Sequence, residues 1–318
     1  MFRRAVIILA VIMLLAACSA PAEQTPSAAD APRIAEDFQL RDQNGQPFEL
    51  YKFEAAPAII LLTHVNGDPV SRASVVALRE LRADPATAGV VVALLNSTPG
   101  VTRQQLKDEA AATGVSELPF LLDGRQFVGE TLGVVRGGEA IVVDPKRWAI
   151  IYRGPVDGRF AAKASGANIG ASVKEALRAL TAGRSVTTIF LDSAGAPIRF
   201  PVGDNRTAFA HITYTKDVAP ILLDKCVVCH VGGGVAPFAM TNYAAVRPFA
   251  LMIREAVRTE RMPPIDTPRR DGPYAQMLSL TDTEAKTLVH WAEGGGARGD
   301  GDDMLAAMVK PLPAMSEK

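Results

Sequence analysis

A single C-x-x-C-H motif, at residues 226–230, constrains this chain more than any other feature of its 318-residue sequence. Two thiols three positions apart, near a helix end, can reach the two vinyl groups at one edge of a porphyrin and form thioethers. The adjacent imidazole then lies under the iron, for which a neutral accepting nitrogen is a suitable ligand. Because C-x-x-C-H is the attachment pattern of c-type haem, the sequence predicts one covalent haem c on Cys226 and Cys229, with His230 as the proximal iron ligand.

A second iron ligand is predicted on the far side of this haem. Residues 261–264 read Arg-Met-Pro-Pro, and paired prolines hold the chain extended and remove backbone donors, so Met262 can project from a loop towards the iron. Met240, in a loop after Phe238, is an alternative ligand. Met252 lies on the apolar stripe of a predicted helix and is expected in the core. A His/Met pair would give a higher haem potential than two histidines.

The segment from about residue 211 to 300 has mainly helical patterns. Thr215 is predicted to cap the helix that leads into the C-x-x-C-H motif. The last helix has a capping box, formed by Thr281 and Glu284. Trp291, on that helix, is expected to pack near the haem or against the first helix.

The N-terminus has the layout of a secretory signal. Arg3 and Arg4 precede an apolar run at residues 5–15, which is too short for a comfortable membrane span. Residues 15–18 read Leu-Ala-Ala-Cys, which resembles the lipobox of bacterial lipoproteins. This resemblance implies a signal peptide over residues 1–18 and a lipid on Cys18. An ordinary signal peptide with an incidental cysteine is the alternative.

The lipobox resemblance also bears on location. Because Ser19 follows the cysteine, it implies an anchor in the outer membrane, with the protein facing the periplasm. Residues 19–32, rich in Ala, Pro, Ser, Glu and Gln, are predicted to form a disordered tether. If Cys18 carries the lipid and the other two cysteines hold the haem, none of the three remains a free thiol.

Residues 33–184 alternate between strand and helix patterns. A hairpin is predicted around Asn44-Gly45, a buried central strand over 58–62 and a helix over 70–82, where apolar residues recur at helical spacing. Predicted strands at 90–95, 140–143 and 148–152 and predicted helices at 103–113 and 171–182 continue the pattern. This alternation indicates a layered α/β domain.

This first half resembles the thioredoxin-like redoxins of the alkyl hydroperoxide reductase/thiol-specific antioxidant type. The matching stretches are 37–45 (Asp-Phe-x-Leu-x-Asp-x-x-Gly), 59–62, 67–72 and 152–157 (Tyr-Arg-Gly-x-x-Asp). The resemblance implies a thioredoxin-like fold. A connector at residues 185–210 follows, with two short predicted strands that are expected to pack on this domain.

Both chemical hallmarks of that family are missing. Where the family has its reactive cysteine, before Pro69, this chain has Asp68. Where the family usually has a cis-proline, residues 135–139 read Val-Arg-Gly-Gly-Glu, with Gly138 at the degenerate position. A carboxylate cannot form a disulfide, so no thiol peroxidase or disulfide reductase activity is expected. Asp68 and His64 could still form a metal site or an acid/base pair, although no third ligand is evident.

The second half, residues 211–300, resembles the planctomycete-type cytochrome c domains of large exported bacterial proteins. The matching stretches are 218–222, 226–230, 233–238 and 261–264, together with Tyr243. Ile265 departs from the pattern, because an aromatic residue usually follows the paired prolines. Redoxin-like and cytochrome c units occur together in this group, sometimes beside a copper type II, ascorbate-dependent monooxygenase-like domain. This chain is too short to contain such a copper domain.

Two other uses of the C-x-x-C pair fit less well. A structural zinc site would normally bring a second pair of cysteines or histidines, whereas His211 and His290 are isolated in the sequence. A redox dithiol would normally lie at the active-site turn of the thioredoxin-like domain, and residues 226–230 lie well outside it.

The sequence therefore predicts an α/β thioredoxin-like domain at 33–184, a mainly α cytochrome c domain at 211–300 and a tail at 301–318. With both axial positions filled, electron transfer is favoured over catalysis. The thiol-less redoxin-like domain is expected to serve as a docking or scaffold module, which docks a partner or holds the haem domain against one. An open iron acting as a peroxidase or small-molecule reductase is one alternative, and metal delivery through His64 and Asp68 is another. The expected partner is a periplasmic redox protein, such as a copper protein or another oxidoreductase. Equal totals of 34 basic and 34 acidic residues argue against nucleic acid as a partner.

Overall fold

The structure is a computed structural model that describes residues 33–162, 173–184, 189–200, 209–263 and 278–308. Cys18, the predicted signal peptide and the predicted tether lie outside the described residues. So do residues 309–318 of the predicted tail.

The first half is built around one mixed sheet. Among the described residues this sheet has eight strands in the order β2-β1-β5-β4-β3-β6-β7-β8. The strands are β1 (Gln39–Arg41), β2 (Pro47–Glu49), β3 (Ile59–Thr63), β4 (Val91–Asn96), β5 (Phe120–Leu122), β6 (Glu139–Asp144), β7 (Ala149–Pro155) and β8 (Ile189–Phe190). The helices between them are α1 (Pro69–Arg82), α2 (Arg103–Thr113), α3 (Phe127–Leu132) and α4 (Val173–Thr181).

The connections confirm the thioredoxin-like fold expected for this half. Strand β3 runs parallel to β4 on one side and antiparallel to β6 on the other, and β6 is antiparallel to β7. Helix α1 joins β3 to β4, and α4 follows β7. A central order of β4-β3-β6-β7 with these directions is the thioredoxin arrangement. The predicted hairpin is also confirmed, because β1 and β2 pair antiparallel around Gly45, whose φ is +81°.

Apolar side chains fill both faces of the sheet. Ile60 and Leu62 of β3 pack with residues of α1, α2 and α4, while Ile59 and Leu61 point to the opposite face, towards α3 and the N-terminal hairpin. All five residues of β3 are buried. Burial on both sides explains why its sequence is a continuous apolar run rather than an alternating one.

The regular elements among the described residues of the second half are helices. A π-helical turn (Tyr214–Val218) precedes α5 (Ala219–Lys225), and α6 (Tyr243–Val246), α7 (Ala250–Arg258), α8 (Asp282–Glu293) and α9 (Met304–Met308) follow. The capping box of α8 is confirmed. Trp291 is buried, and its ring centroid lies 6.2 Å from that of Tyr214, in the first helical turn. No helix among the described residues has both the length and the apolar character needed to cross a membrane.

Two local expectations for this half were wrong. Thr215 does not cap the first helix; Thr213 holds the N-cap position, and the Thr215 hydroxyl donates instead to the carbonyls of Arg298 and Asp300. Met252 is not in the core, because its side chain is 59% exposed. Helix α7 buries the face that carries Ala250 and Ile253, and Met252 points away from that face.

The connector packs on the first half, as expected. Strand β8 pairs parallel with β7, and Ile198 N donates to Val135 O at 2.9 Å. The second predicted strand, at residues 198–200, does not form; a single bridge between Arg136 and Pro197 is present instead. The two halves also share apolar packing, because Phe127 of α3 belongs to the buried cluster of the helical half.

Candidate functional site

The C-x-x-C-H motif forms a tight turn at the end of α5. Cys226 is the C-cap residue, and its N–H donates to Leu222 O at 2.9 Å. The N–H groups of Cys229 and His230 both donate to Cys226 O, at 3.1 and 3.0 Å. The two cysteines are partly buried and form no disulfide. The helix end thus presents two thiols and one imidazole from a single turn of chain.

The loop after the motif folds back onto His230. Ala236 N donates to Cys229 O at 3.2 Å, and Met240 N donates to His230 O at 2.7 Å. The reversal needs a glycine, because a Cβ built on Gly234 would lie 2.5 Å from Cys229 O. This return brings Phe238 beside His230, with ring centroids 4.7 Å apart.

The loop fixes the orientation and tautomer of the His230 ring. His230 Nδ1 lies 2.9 Å from Phe238 O, and a carbonyl can only accept, so Nδ1 carries the proton. The lone pair is then on Nε2, the nitrogen that would bind a metal. Histidines that ligate metals usually donate their second ring nitrogen in this way. His230 is also 8% exposed, so its ring is held by surrounding protein.

The Cys226 thiol is poorly suited to thiol exchange. Burial raises the pKa of Cys226 to about 12, and a protonated, buried thiol is a weak nucleophile and a weak metal ligand. Among the described residues, no group of three or more His, Cys, Asp or Glu side chains could hold a metal ion. The donor set at this turn is thus two thiols and one imidazole.

The three methionines considered as ligands lie in different environments. Met240 is buried at 5% exposure and belongs to the apolar cluster that also packs Cys226 and Phe238. Met262 follows the end of α7 and is 40% exposed. Met252, also exposed, lies within α7. Pro264, the second of the paired prolines, lies outside the described residues.

The structure places Asp68, one degenerate position of the redoxin-like half, beside Gly137, which precedes the other degenerate position, Gly138. Asp68 is the N-cap of α1, and its Oδ2 accepts from Ser71 N at 2.8 Å and from Ser71 Oγ at 2.7 Å. A Cβ built on Gly137 would lie 2.3 Å from Ser71 Oγ and 3.3 Å from Asp68 Oδ2. Gly138, next along, donates its N–H to Thr63 O. Asp68 thus acts as a helix cap facing the loop at residues 135–139.

The connector closes over this position. Gly137 N donates to Ala196 O at 2.9 Å, Ser193 Oγ donates to Gly137 O at 3.0 Å, and Arg136 Nη1 donates to Gly195 O at 3.0 Å. A Cβ built on Gly195 would lie 2.0 Å from Gly137 O, so the two backbones are in direct contact. The chain itself therefore fills the space in front of the degenerate site.

The partner of His64 is Glu109, whereas the sequence pattern paired His64 with Asp68. It is fully buried, and its Nε2 lies 2.9 Å from Glu109 Oε1. Arg72 donates to both Glu109 oxygens, at 2.9 and 2.8 Å. These hydrogen bonds, with Arg72 first, hold the pKa of Glu109 near 2, and burial lowers the pKa of His64. The pairing was missed because it joins the residue after β3 to α2, 45 positions along the chain, and no local pattern marks it.

Comparison with solved structures finds partial likenesses. A hypothetical protein from Sinorhizobium meliloti 1021 is 27% identical, with a TM-score of 0.45 over 53% of this chain and 93% of that chain. An uncharacterized conserved protein from Geobacillus kaustophilus is 23% identical, with a TM-score of 0.44 over 53% of this chain and 91% of that chain. A peroxidoxin from Mycobacterium tuberculosis is 21% identical, with a TM-score of 0.37 over 48% of this chain and 97% of that chain. No protein-family model matches the chain, and no curated protein matches it.

Proposed function

We propose that this protein is an exported electron carrier that uses one covalently bound haem c. Cys226 and Cys229 would hold the porphyrin through thioethers, and His230 Nε2 would be the proximal ligand. The observation that carries the proposal is the hydrogen bond from His230 Nδ1 to Phe238 O, which leaves Nε2 as the ligating nitrogen within an intact C-x-x-C-H motif. When bound, haem c supplies a one-electron couple between ferrous and ferric iron.

Met262 is the distal ligand that we favour over Met240. A distal ligand must approach the iron from the face opposite the proximal histidine. Met240 N is hydrogen-bonded to the carbonyl of His230 itself, and a porphyrin cannot pass between side chains whose backbones are in direct contact. Met262 comes from a separate segment, after α7, and is free of that restriction. With His230 and Met262 both bound, the iron would have no open position for oxygen chemistry.

The redoxin-like half is assigned a structural role in this proposal. Asp68 is used as a helix cap, and the connector covers the space in front of it. Neither thiol chemistry nor partner docking at that position is therefore expected. Phe127 packs in the helical half, which supports a function in holding the haem-binding half.

The proposed setting is the periplasm. It rests on the signal-like N-terminus and on the lipobox resemblance at Cys18, which would anchor the chain to the outer membrane. The proposed partner is a periplasmic redox protein, such as a copper protein or another oxidoreductase. Acyl-group mass on the N-terminal fragment of protein purified from membranes tests the anchor; an unmodified cysteine there would contradict it.

Visible spectra of protein produced with a haem c maturation system test the ligation. We expect a low-spin c-type spectrum with a weak band at the red end in the oxidised form, and weak carbon monoxide binding in the reduced form. Met262→Ala should abolish the band and open the iron to carbon monoxide. Met252→Ala is the matched control, since that side chain is exposed on the same half.

The same spectra can reverse the conclusion. A high-spin wild-type spectrum with ready carbon monoxide binding would mean an open iron and would favour a haem enzyme of the peroxidase or small-molecule reductase class. An intact red band in Met262→Ala would remove Met262 as the ligand while leaving the haem in place.

A further inference from the structure

Three arginines on and just after α7 contact the redoxin-like half. Arg254 and Arg258 are four residues apart on α7 and so share one side of the helix, and Arg261 lies in the turn after it. Each forms an ion pair with an acidic residue between positions 36 and 49. We call this set of arginines the α7 latch.

The central contact of the α7 latch is buried. The Arg258 side chain is 6% exposed. Its Nη1 donates to Glu36 Oε2, and its Nη2 donates to Thr131 Oγ1 at 2.7 Å. Thr131 lies on α3, so a single guanidinium ties α7 to two separate segments of the first half. A planar guanidinium suits this two-way contact, because its donors have a fixed fork geometry.

The outer contacts extend the latch in both directions. Arg254 Nε donates to Glu293 Oε1 of α8 at 2.8 Å, while its Nη2 lies 3.4 Å from Glu36 Oε2. Arg261 Nη2 lies 3.1 Å from Glu49 Oε1. The latch therefore joins α8, α7 and the N-terminal hairpin into one charged network.

The latch ends next to the proposed distal ligand. Arg261 precedes Met262, and both of their N–H groups donate to Ala256 O, at 2.9 and 3.0 Å. The backbone at Met262 is thus tied to the last turn of α7. Any shift of α7 relative to the first half must move Met262 as well.

We propose that Arg258, supported by Arg254 and Arg261, is a positioning residue through which the redoxin-like half holds Met262 at the iron. This inference rests on the proposed His/Met ligation. It gives the thiol-less redoxin-like half a defined role, because that half sets the position of one axial ligand and thereby the strength of the methionine–iron bond. Fixed outer contacts orient metal ligands in this way in many sites.

The expected sizes of the effects of substituting Arg258 and Arg261 follow from how far each side chain is buried. Exposed ion pairs contribute little because water and salt screen them, and the Arg261 side chain is 43% exposed. Arg258 is enclosed and makes two hydrogen bonds to the first half, to Glu36 and Thr131. Arg258→Met keeps the apolar stem, and the carboxylate that it abandons, on Glu36, is 47% exposed and can be hydrated. The variant should therefore fold while losing the tie.

The experiment uses full-length haem-loaded protein and a small set of variants. In Arg258→Met we expect partial loss of the red methionine band, an increased fraction that binds carbon monoxide and a lower reduction potential. Arg261→Gln should show smaller changes in the same direction. Arg298→Gln is the matched control, because Arg298 donates to nearby carbonyls in its own half. The spectral changes caused by Arg261→Glu should be reversed when Glu49→Arg is added, because the ion pair then forms with its charges exchanged.

Each outcome has a distinct meaning. Arg258→Met with a wild-type band, potential and carbon monoxide response would overturn the positioning role, even if its melting temperature fell. Loss of the red band in Arg298→Gln to the same extent would also overturn it, because the effect would then not depend on the latch. If the wild-type protein carried no haem, or if Met262→Ala kept the band, the proposed ligation itself would fail, and that failure is visible before any latch variant is made.

Discussion

Gly195→Ala tests whether the connector is locked onto the redoxin-like half. A Cβ at this position would lie 2.0 Å from Gly137 O and 2.7 Å from Gly137 C. Both contacts are with backbone atoms, which cannot rotate away as a side-chain end can. The connector must therefore lift from the loop at residues 135–139. The backbone of Gly195 has no positive φ, so the effect comes from the clash alone.

The size of the effect can be worked out from the contacts that would be lost. Of the hydrogen bonds that join the two segments, three lie close to Gly195: Gly137 N to Ala196 O, Ser193 Oγ to Gly137 O and Arg136 Nη1 to Gly195 O. At about 0.5–1.5 kcal/mol each, their loss would cost roughly 1.5–4.5 kcal/mol. Replacing glycine by alanine also restricts the unfolded chain, which offsets about 0.4–1 kcal/mol. The expected net loss in the free energy of unfolding is about 0.5–4 kcal/mol.

Urea denaturation followed by circular dichroism measures this loss directly. Gly124→Ala is the matched control, because Gly124 has no positive φ and nothing lies within 4 Å of its Cβ position. Faster proteolytic cleavage within the connector should accompany the loss of stability. If Gly195→Ala and Gly124→Ala unfold at the same urea concentration as the wild type, the connector is not locked in the manner described.

Three further predictions concern other parts of the molecule. Asp68→Cys should react slowly with a thiol reagent and faster when combined with Gly195→Ala; equal rates would mean that the connector does not shield the site. The pKa of Glu109 is about 2, below its ordinary value of 4.5, so its carboxylate stabilises the fold above about pH 4.5 and this contribution is lost as the pH falls towards 2. Melting temperatures over that pH range should fall more steeply for the wild type than for Glu109→Gln, and parallel curves would refute this. Gly234→Ala should lower haem incorporation several-fold because of its contact with the motif backbone, whereas Gly232→Ala, with open space at its Cβ position, should not; equal haem content in the two variants would contradict the proposed loop geometry.

Local sequence patterns predicted the strands, turns and helix ends that are determined by residues close together in the chain. Strand β3 is a continuous apolar run, the turn at Gly45 needs a positive φ, and the capping box of Thr281 with Glu284 satisfies donors within four residues of itself. Each of these is decided by residues close in sequence. The alternation of such elements indicated a layered α/β domain, and the thioredoxin-like arrangement was implied by the resemblance to redoxins.

Contacts between distant segments could not be predicted in the same way. Thr213 and Thr215 are both suitable caps, and the choice was decided by carbonyls of residues 298 and 300, far along the chain. Met252 fitted the helical period but points away from the face that packs. Strand β5 and helix α3 have only three and six residues, too few to show a period.

The candidate site also has one part that the sequence predicts and another that depends on contacts between distant segments. The C-x-x-C-H motif is visible in the sequence, but the carbonyl of Phe238 that orients His230 is supplied by a loop whose path depends on packing. Arg258 could be recognised as a charged position on α7. Its burial against Glu36 and Thr131 depends on how the two halves meet, and no spacing rule encodes that.

Covalent attachment of haem is the central claim, and the pyridine haemochrome assay on denatured full-length protein tests it most directly. After production with a haem c maturation system and extraction with acidified acetone, we expect the haem to stay with the protein, at one per chain, with a c-type haemochrome spectrum. A Cys226→Ser, Cys229→Ser double variant should lose it. Protein that carries no haem, or that releases all of its haem to the solvent, would contradict the account.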